Sequence, residues 1–278
     1  MGVHRARRGP RYRWTPIIMA LLLLLVSVTA PPSSAQLTGE FYQATVIVTG
    51  TDMRSRPLGF GQALRAVLVN VSGEPRLHDD PRVSALAAHA DAFVASFSYV
   101  DRMAGRPVHD EQGTRDRPYN LTVTFVPGRI DKALADLGQQ PWGGARPVVV
   151  PVLAVRIGTA SYLLSAENPA GAEQRAAFVD VVRAFDMTVR FPTEAEFAAW
   201  GISPDRFHSP NATAAAGDAL VTGTLEFKES LPGWVGVWRW RWRGADYAWG
   251  IQGVSFDEAF RDIARGVLRV ASGHGPPD

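Results

Sequence analysis

No cysteine occurs anywhere in the 278 residues. Its absence excludes disulfides, thiolate nucleophiles, cysteine-ligated zinc and the acylated cysteine that tethers bacterial lipoproteins. Stability therefore has to come from packing. Lysine is almost as scarce, present only at Lys132 and Lys228, so basic character rests on arginine, and a bias of that kind says little about function. No serine sits in a nucleophile elbow, no histidine pair has zinc-protease spacing and no serine–lysine acylation motif occurs. Catalysis has no legible motif here, although glycoside hydrolysis needs only two carboxylates at a set distance, which a sequence does not reveal. Beyond residue 35 no apolar run is long enough to cross a bilayer.

What is present begins with a leader. Arg5, Arg7, Arg8, Arg11 and Arg13 precede an apolar run from Ile17 to Ala30, followed by Ser33-Ser34-Ala35. That order of basic, apolar and small residues predicts a cleaved secretory signal peptide over 1–35, cut after Ala35. A cut after Ala30 would place Pro31 next to the scissile bond. The apolar run, about fourteen residues, is short of the roughly twenty a membrane anchor needs. Removing the leader takes away five arginines and no acid, so 29 basic against 27 acidic residues becomes 24 against 27, a net charge of −3. A mildly acidic chain has no global field to attract phosphate, and nucleic acid is not an expected partner. The expected address is the periplasm or exterior of a Gram-negative bacterium.

The 243 residues that remain suggest one large or two small domains. We read an α/β protein of the α+β type, with two small domains at 36–143 and 146–272, each a mixed or antiparallel sheet with helices mainly on one face. Tyr42, Ala44, Val46 and Val48 alternate as a strand; Leu64, Val67, Leu68 and Val71 form a helical stripe stopped by Gly73. Asp79-Asp80-Pro81 opens a helix whose period runs from Val83 to Phe97, turning strand-like at Phe97–Val100. Residues 101–117 lack a stripe and read as a mobile hairpin loop. A strand over 119–125 leads through Pro127 into a helix with Ile130, Ala133, Leu134 and Leu137 inward, closed by Gly138. Pro141-Trp142-Gly143-Gly144-Ala145-Arg146-Pro147 reads as the interdomain connection. Val148–Ile157 is nearly continuous apolar chain with β-branched residues, as a central strand covered on both faces would be. Helices follow at Phe178–Phe185 and from Thr193, whose Glu196 completes a capping box; Ser255 and Glu258 form a second box at the head of the terminal helix.

The most conspicuous pattern is Trp238-Arg239-Trp240-Arg241-Trp242-Arg243, which a strand sorts into an aromatic and a guanidinium face. With a turn at Gly244-Ala245, Trp242 opposes Tyr247, Trp240 opposes Trp249 and Trp238 opposes Ile251. Trp238, Trp240, Trp242 and Trp249, with Trp142, are then structural residues packed under helices. In that register Arg243 meets Asp246, whereas Arg239 and Arg241 lack partners. Arg239, Arg241 and Arg243 are therefore the candidate surface for an anionic glycan, headgroup or acidic protein patch, set against the plainer role of keeping an exposed strand soluble.

Other clusters point less far. Gly59-Phe60-Gly61 lacks the third glycine of a dinucleotide loop and reads as a turn feeding a helix. His78-Asp79-Asp80 and His109-Asp110-Glu111 pair histidine with acids but show no ligand spacing on one helix face. No catalytic residue, cofactor or metal ligand is assigned.

The segments Gly61-Gln62-Ala63-Leu64-Arg65-Ala66-Val67-Leu68-Val69-Asn70-Val71-Ser72-Gly73 and Pro141–Pro147 together resemble an exported bacterial family, DUF2066, known only as a domain of unknown function. The resemblance implies a Gram-negative envelope protein of undetermined role and carries over no active-site residue. The expectation is a periplasmic, non-catalytic binding or assembly factor that acts on another envelope protein or an envelope polymer. A hydrolase cutting an envelope glycan with paired carboxylates is the alternative.

Overall fold

The computed structural model describes Gly2 and residues 39–105, 117–207, 212–213 and 215–278. Apart from Gly2, the leader and its cleavage point lie outside the described residues. So do His109-Asp110-Glu111 and most of the loop that joins the second and third strands. Among the described residues the protein is α+β, with six helices, a three-stranded antiparallel sheet and a six-stranded mixed sheet.

The smaller sheet has the order β1-β3-β2, from β1 (Gln43–Thr49), β2 (Val94–Asp101) and β3 (Pro118–Phe125). Beneath it runs α1 (Arg56–Ser72), in which Ala63, Leu64, Val67, Leu68 and Val71 are fully buried. Gly73, at φ 75°, ends α1 and returns its N–H to the Val69 carbonyl at 2.7 Å, the left-handed cap expected of that glycine. Gly59 and Gly61 prove to be inside α1, not in a turn before it. A Cβ on Gly59 would come within 2.6 Å of Leu121, and one on Gly61 within 2.9 Å of the Ala87 carbonyl, so close packing explains both.

Asp80 caps α2 (Pro81–Ala87), its carboxylate accepting from the Arg82 N–H at 2.8 Å. The helical period that the sequence carries on to Phe97 breaks at Ala88. A 3-10 turn spans Ala90–Phe93, and residues 94–101 are taken into β2 by pairing with β3. Tertiary pairing overrides a local preference here. After β3 comes α3 (Pro127–Asp136), followed by a turn in which Gly138 has φ 77°.

The larger sheet has the order β5-β4-β7-β8-β9, with β6 also on β4. Its strands are β4 (Val148–Ile157), β5 (Ala160–Leu163), β6 (Thr188–Val189), β7 (Ala219–Lys228), β8 (Gly233–Trp242) and β9 (Ala245–Val254). β4 pairs in parallel with β6 and β7; the other pairs are antiparallel. One face packs on α4 (Ala172–Arg183) and α6 (Phe256–Ser272), whose Phe178 and Phe260 rings lie 4.7 Å apart. On the other face α5 (Glu194–Ala199) contributes Phe197, which packs with Val152 and Ile202. The Thr193 box is complete: its hydroxyl accepts from Glu196 N–H at 3.1 Å and Glu196 accepts from Thr193 N–H at 2.8 Å. The second box is only half made. Ser255 accepts from Glu258 N–H at 3.2 Å, but the Glu258 carboxylate turns to Arg261 and Arg265.

Where the sequence suggests a linker at Trp142 between two domains, the structure has a packed junction. Trp142 donates its N–H to the Val71 carbonyl at 2.7 Å, and the Asn70 amide donates to the Ala184 carbonyl at 2.9 Å. Glu74, after α1, forms a buried ion pair with Arg269 of α6. Residues Gln36–Asp278 form one compact unit, and a single core joins Leu64 and Leu121 to Leu153 and Phe260. The two sheets fall in the two expected halves, and the main core runs through both, with a smaller cluster around Phe197 in the second.

Candidate functional site

Three short segments surround a groove of about 370 Å³. They are α2, the Ala90–Phe93 turn and α3. Val126 donates its N–H to the Phe93 carbonyl at 2.9 Å, which fixes the start of α3 against the end of the turn. α3 then serves two surfaces: Ile130 and Leu134 go into the core, while Arg129, Lys132, Ala133 and Asp136 face the groove. Leu86, Phe93, Ala133 and Leu137 make an apolar floor, and Arg82, Arg129 and Lys132 stand on the rim.

The rim charges are held in different ways. Arg82 lies 2.7 Å from Asp80, and that guanidinium, with the Arg82 N–H, keeps the Asp80 carboxyl below its ordinary range. Lys132 pairs with Asp136 at 2.7 Å along one turn of α3. Arg129 donates to the Ala92 carbonyl and has no carboxylate partner among the described residues. A recess of this volume with an apolar base and few charged groups suits a ligand or a few side chains of a partner. The sequence shows the inward stripe of α3 but not the groove, because its walls come from segments far apart in the chain. The only local hint is the polar spacing of Arg129, Lys132 and Asp136 along one helix face.

The tryptophan hairpin is a packed structure. Trp238, Trp240 and Trp249 are 0%, 2% and 8% exposed. Trp238 donates Nε1–H to Asp262 of α6 at 2.9 Å, and burial pushes the Asp262 carboxyl up. Trp249 lies on Gly266, where a Cβ would come within 2.8 Å of the indole. The register differs from the sequence reading by two residues. The turn is Arg243-Gly244, both at positive φ, so Trp242 faces Ala245, Trp240 faces Tyr247 and Trp238 faces Trp249. A two-residue slip leaves every side chain on its expected face but changes every partner.

The guanidinium face is changed most by that slip. Arg241, not Arg243, stands opposite Asp246, at 3.8 Å with both side chains exposed. Arg243 sits in the turn with its guanidinium 5.4 Å from the Trp242 ring. Arg239 stays on the open sheet face between Thr222 and Ala248. The three arginines are exposed but are spread over a flat strand and its turn and do not converge.

A polar knot at the junction has no counterpart in the sequence reading. The Arg146 guanidinium lies 3.9 Å over Trp142 and 5.0 Å from Phe41, and it donates to the Asn70 carbonyl. Burial pushes Arg146 down to about 10. Asp186, at φ 53°, is pushed up to about 6, chiefly by burial, with the Arg146 charge and the Asn70 amide opposing the shift. Arg146 Nε and Nη1 and Asp186 Oδ2 are buried without a hydrogen-bond partner. Neither described recess reaches these atoms.

The acids do not converge on the groove. Asp136 is the single carboxylate on its wall. Asp262 and Asp278 line a separate depression of about 90 Å³, room for a few waters. His78 contacts Asp79 at 2.9 Å, while Asp80 turns away to cap α2. Among the described residues no group of three metal-ligating side chains comes together, and no helix is long and apolar enough to cross a membrane.

Fold and site define an α+β protein with a basic-rimmed apolar groove in its first half. Residues 35–143, which contain the whole groove, match a family described as a domain of unknown function (DUF8605). The family that matches is DUF8605 and not DUF2066. No curated protein and no solved structure matches the chain.

Proposed function

We propose that the chain is an exported binding or assembly factor of the bacterial envelope, and that it holds its partner in the groove between α2 and α3. The supporting observation is the pairing of an apolar floor with three cations on one rim. After loss of the leader the chain carries a net charge of −3, so this basic rim is a local feature and not a by-product of composition. The complementary ligand is a segment of another envelope protein that presents apolar side chains flanked by carboxylates. Arg129, which has no carboxylate partner among the described residues, is the contact that selects it.

Replacing Phe93 with a photo-crosslinking residue in intact envelopes tests this reading. A discrete protein adduct is expected from position 93, absent when the crosslinker replaces Arg239, and reduced by Arg129→Glu. Adducts that form equally from both positions, or that ignore Arg129→Glu, remove the groove from consideration. An adduct to an envelope polymer would replace the protein partner with a glycan or lipid. Mass determination of the amino terminus tests the address: the expected mature chain begins at Gln36, and an unprocessed terminus on cytosolic protein argues against export.

A further inference from the structure

β9 is the last strand of its sheet, and its far side meets no other strand among the described residues. The two-residue turn at Arg243-Gly244 makes Trp242 and Ala245 a narrow hydrogen-bonded pair, and antiparallel alternation follows from there. The backbone groups of Ala245, Tyr247, Trp249 and Ile251 point at β8. Those of Asp246, Ala248, Gly250 and Gln252 point outward. All four outward residues are exposed, and they make no backbone hydrogen bond outside the sheet.

Natural edge strands are shortened, charged or broken by proline to prevent pairing. β9 has ten residues, against seven, eight and four in β1, β2 and β5, and it contains no proline, lysine or arginine. Asp246 is its single charge. A row of unpaired N–H and C=O groups in an extended strand is complementary to one thing, another extended strand.

We propose that this edge joins two copies of the chain, β9 pairing antiparallel with β9 across a two-fold axis at Trp249 to make one continuous sheet. The same strand always satisfies itself in this arrangement, since an isologous contact pairs each residue with a counterpart on the other copy. With the axis at Trp249, Ala248 meets Gly250 of the second copy and Asp246 meets Gln252, so all four outward residues are used. No two like charges face each other, and the Gln252 amide can donate to the Asp246 carboxylate. On the inner face Tyr247 meets Ile251, both only partly buried within one chain, while the already buried Trp249 sits beside its own counterpart at the axis. The groove contributes no residue to this contact, so failure of one reading leaves the other standing.

Sedimentation of the purified full chain over a range of concentrations should show a monomer–dimer equilibrium. Ala248→Pro removes an outward N–H and leaves the ladder to β8 intact, so it should abolish the dimer without lowering the thermal midpoint of the monomer. Should that variant not fold, Gln252 decides the matter. Gln252→Asp sets it against Asp246 and should weaken dimerisation, while Gln252→Lys should tighten it, each by about two- to thirtyfold, since symmetry counts the cross-strand pair twice. A monomer at every concentration overturns the proposal, as does a dimer that both Gln252 variants shift in the same direction.

Discussion

Asp186 costs the fold something that its neighbours only partly offset. Its carboxyl is raised from 3.8 to about 6, so the folded state binds a proton that the unfolded chain has already released. Below pH 3.8 both states are protonated and the group is neutral in the balance; as pH rises through the window to about 6, stability falls, and it stays lower above. Asp186→Asn should remove that slope and raise stability near neutrality by at most about 3 kcal/mol. Asparagine also tolerates the left-handed backbone at this position. Urea titrations of both proteins at pH 4 and pH 8 would show it, and parallel shifts in the two would refute it. None of this is legible in the sequence, where Asp186 is one acid in a loop. The burial of Trp238 and Trp240, by contrast, was legible, because alternation alone places them on one face.

At the scale of elements, turn chemistry was the weak point of the sequence reading. Gly244-Ala245 looks like the hairpin turn because it holds the glycine and a small residue, but the strand claims Ala245 and leaves Arg243 with φ 48°. A two-residue turn of this type favours asparagine at that position. Arg243→Asn should recover about 1 kcal/mol of backbone strain and lose roughly 0.5 kcal/mol of exposed cation–π contact with Trp242, a small net gain. A lower denaturation midpoint would mean that the stacking outweighs the backbone. α2 teaches a similar lesson: its cap at Asp80 could be read from Asp-Pro, but its end at Ala87 could not. The residues that follow satisfy a helical period and a strand equally, and β3 decides between them.

At the scale of the whole molecule, the sheets and their helices were foreseeable, but their union was not. Strands and stripes are periodic and local. A shared core depends on which surfaces meet, and the contacts that join the halves span long stretches of chain: 76 residues between Asn70 and Arg146, 114 between Asn70 and Ala184, and 195 between Glu74 and Arg269. Both partners of that pair are buried, with side chains 10% and 7% exposed. Removing one leaves a lone charge in the interior. Arg269→Met should therefore cost about 3–5 kcal/mol, and adding Glu74→Gln should restore a large part of it. Because the core is continuous, the loss should appear equally in tryptophan fluorescence, which reports the larger sheet, and in amide exchange of β1 and β3. Separate transitions in the two probes would mean that the halves unfold independently.

The hairpin also affects how the molecule interacts with light. The Trp240 and Trp242 rings lie 4.9 Å apart, inclined by 34°. Indoles that close couple their excited states, so the far-ultraviolet ellipticity of the native protein should contain an exciton couplet belonging to neither helix nor strand. A helix content deconvoluted from such a spectrum would be wrong, and the couplet itself would be a built-in optical gauge of whether β8 and its turn are formed.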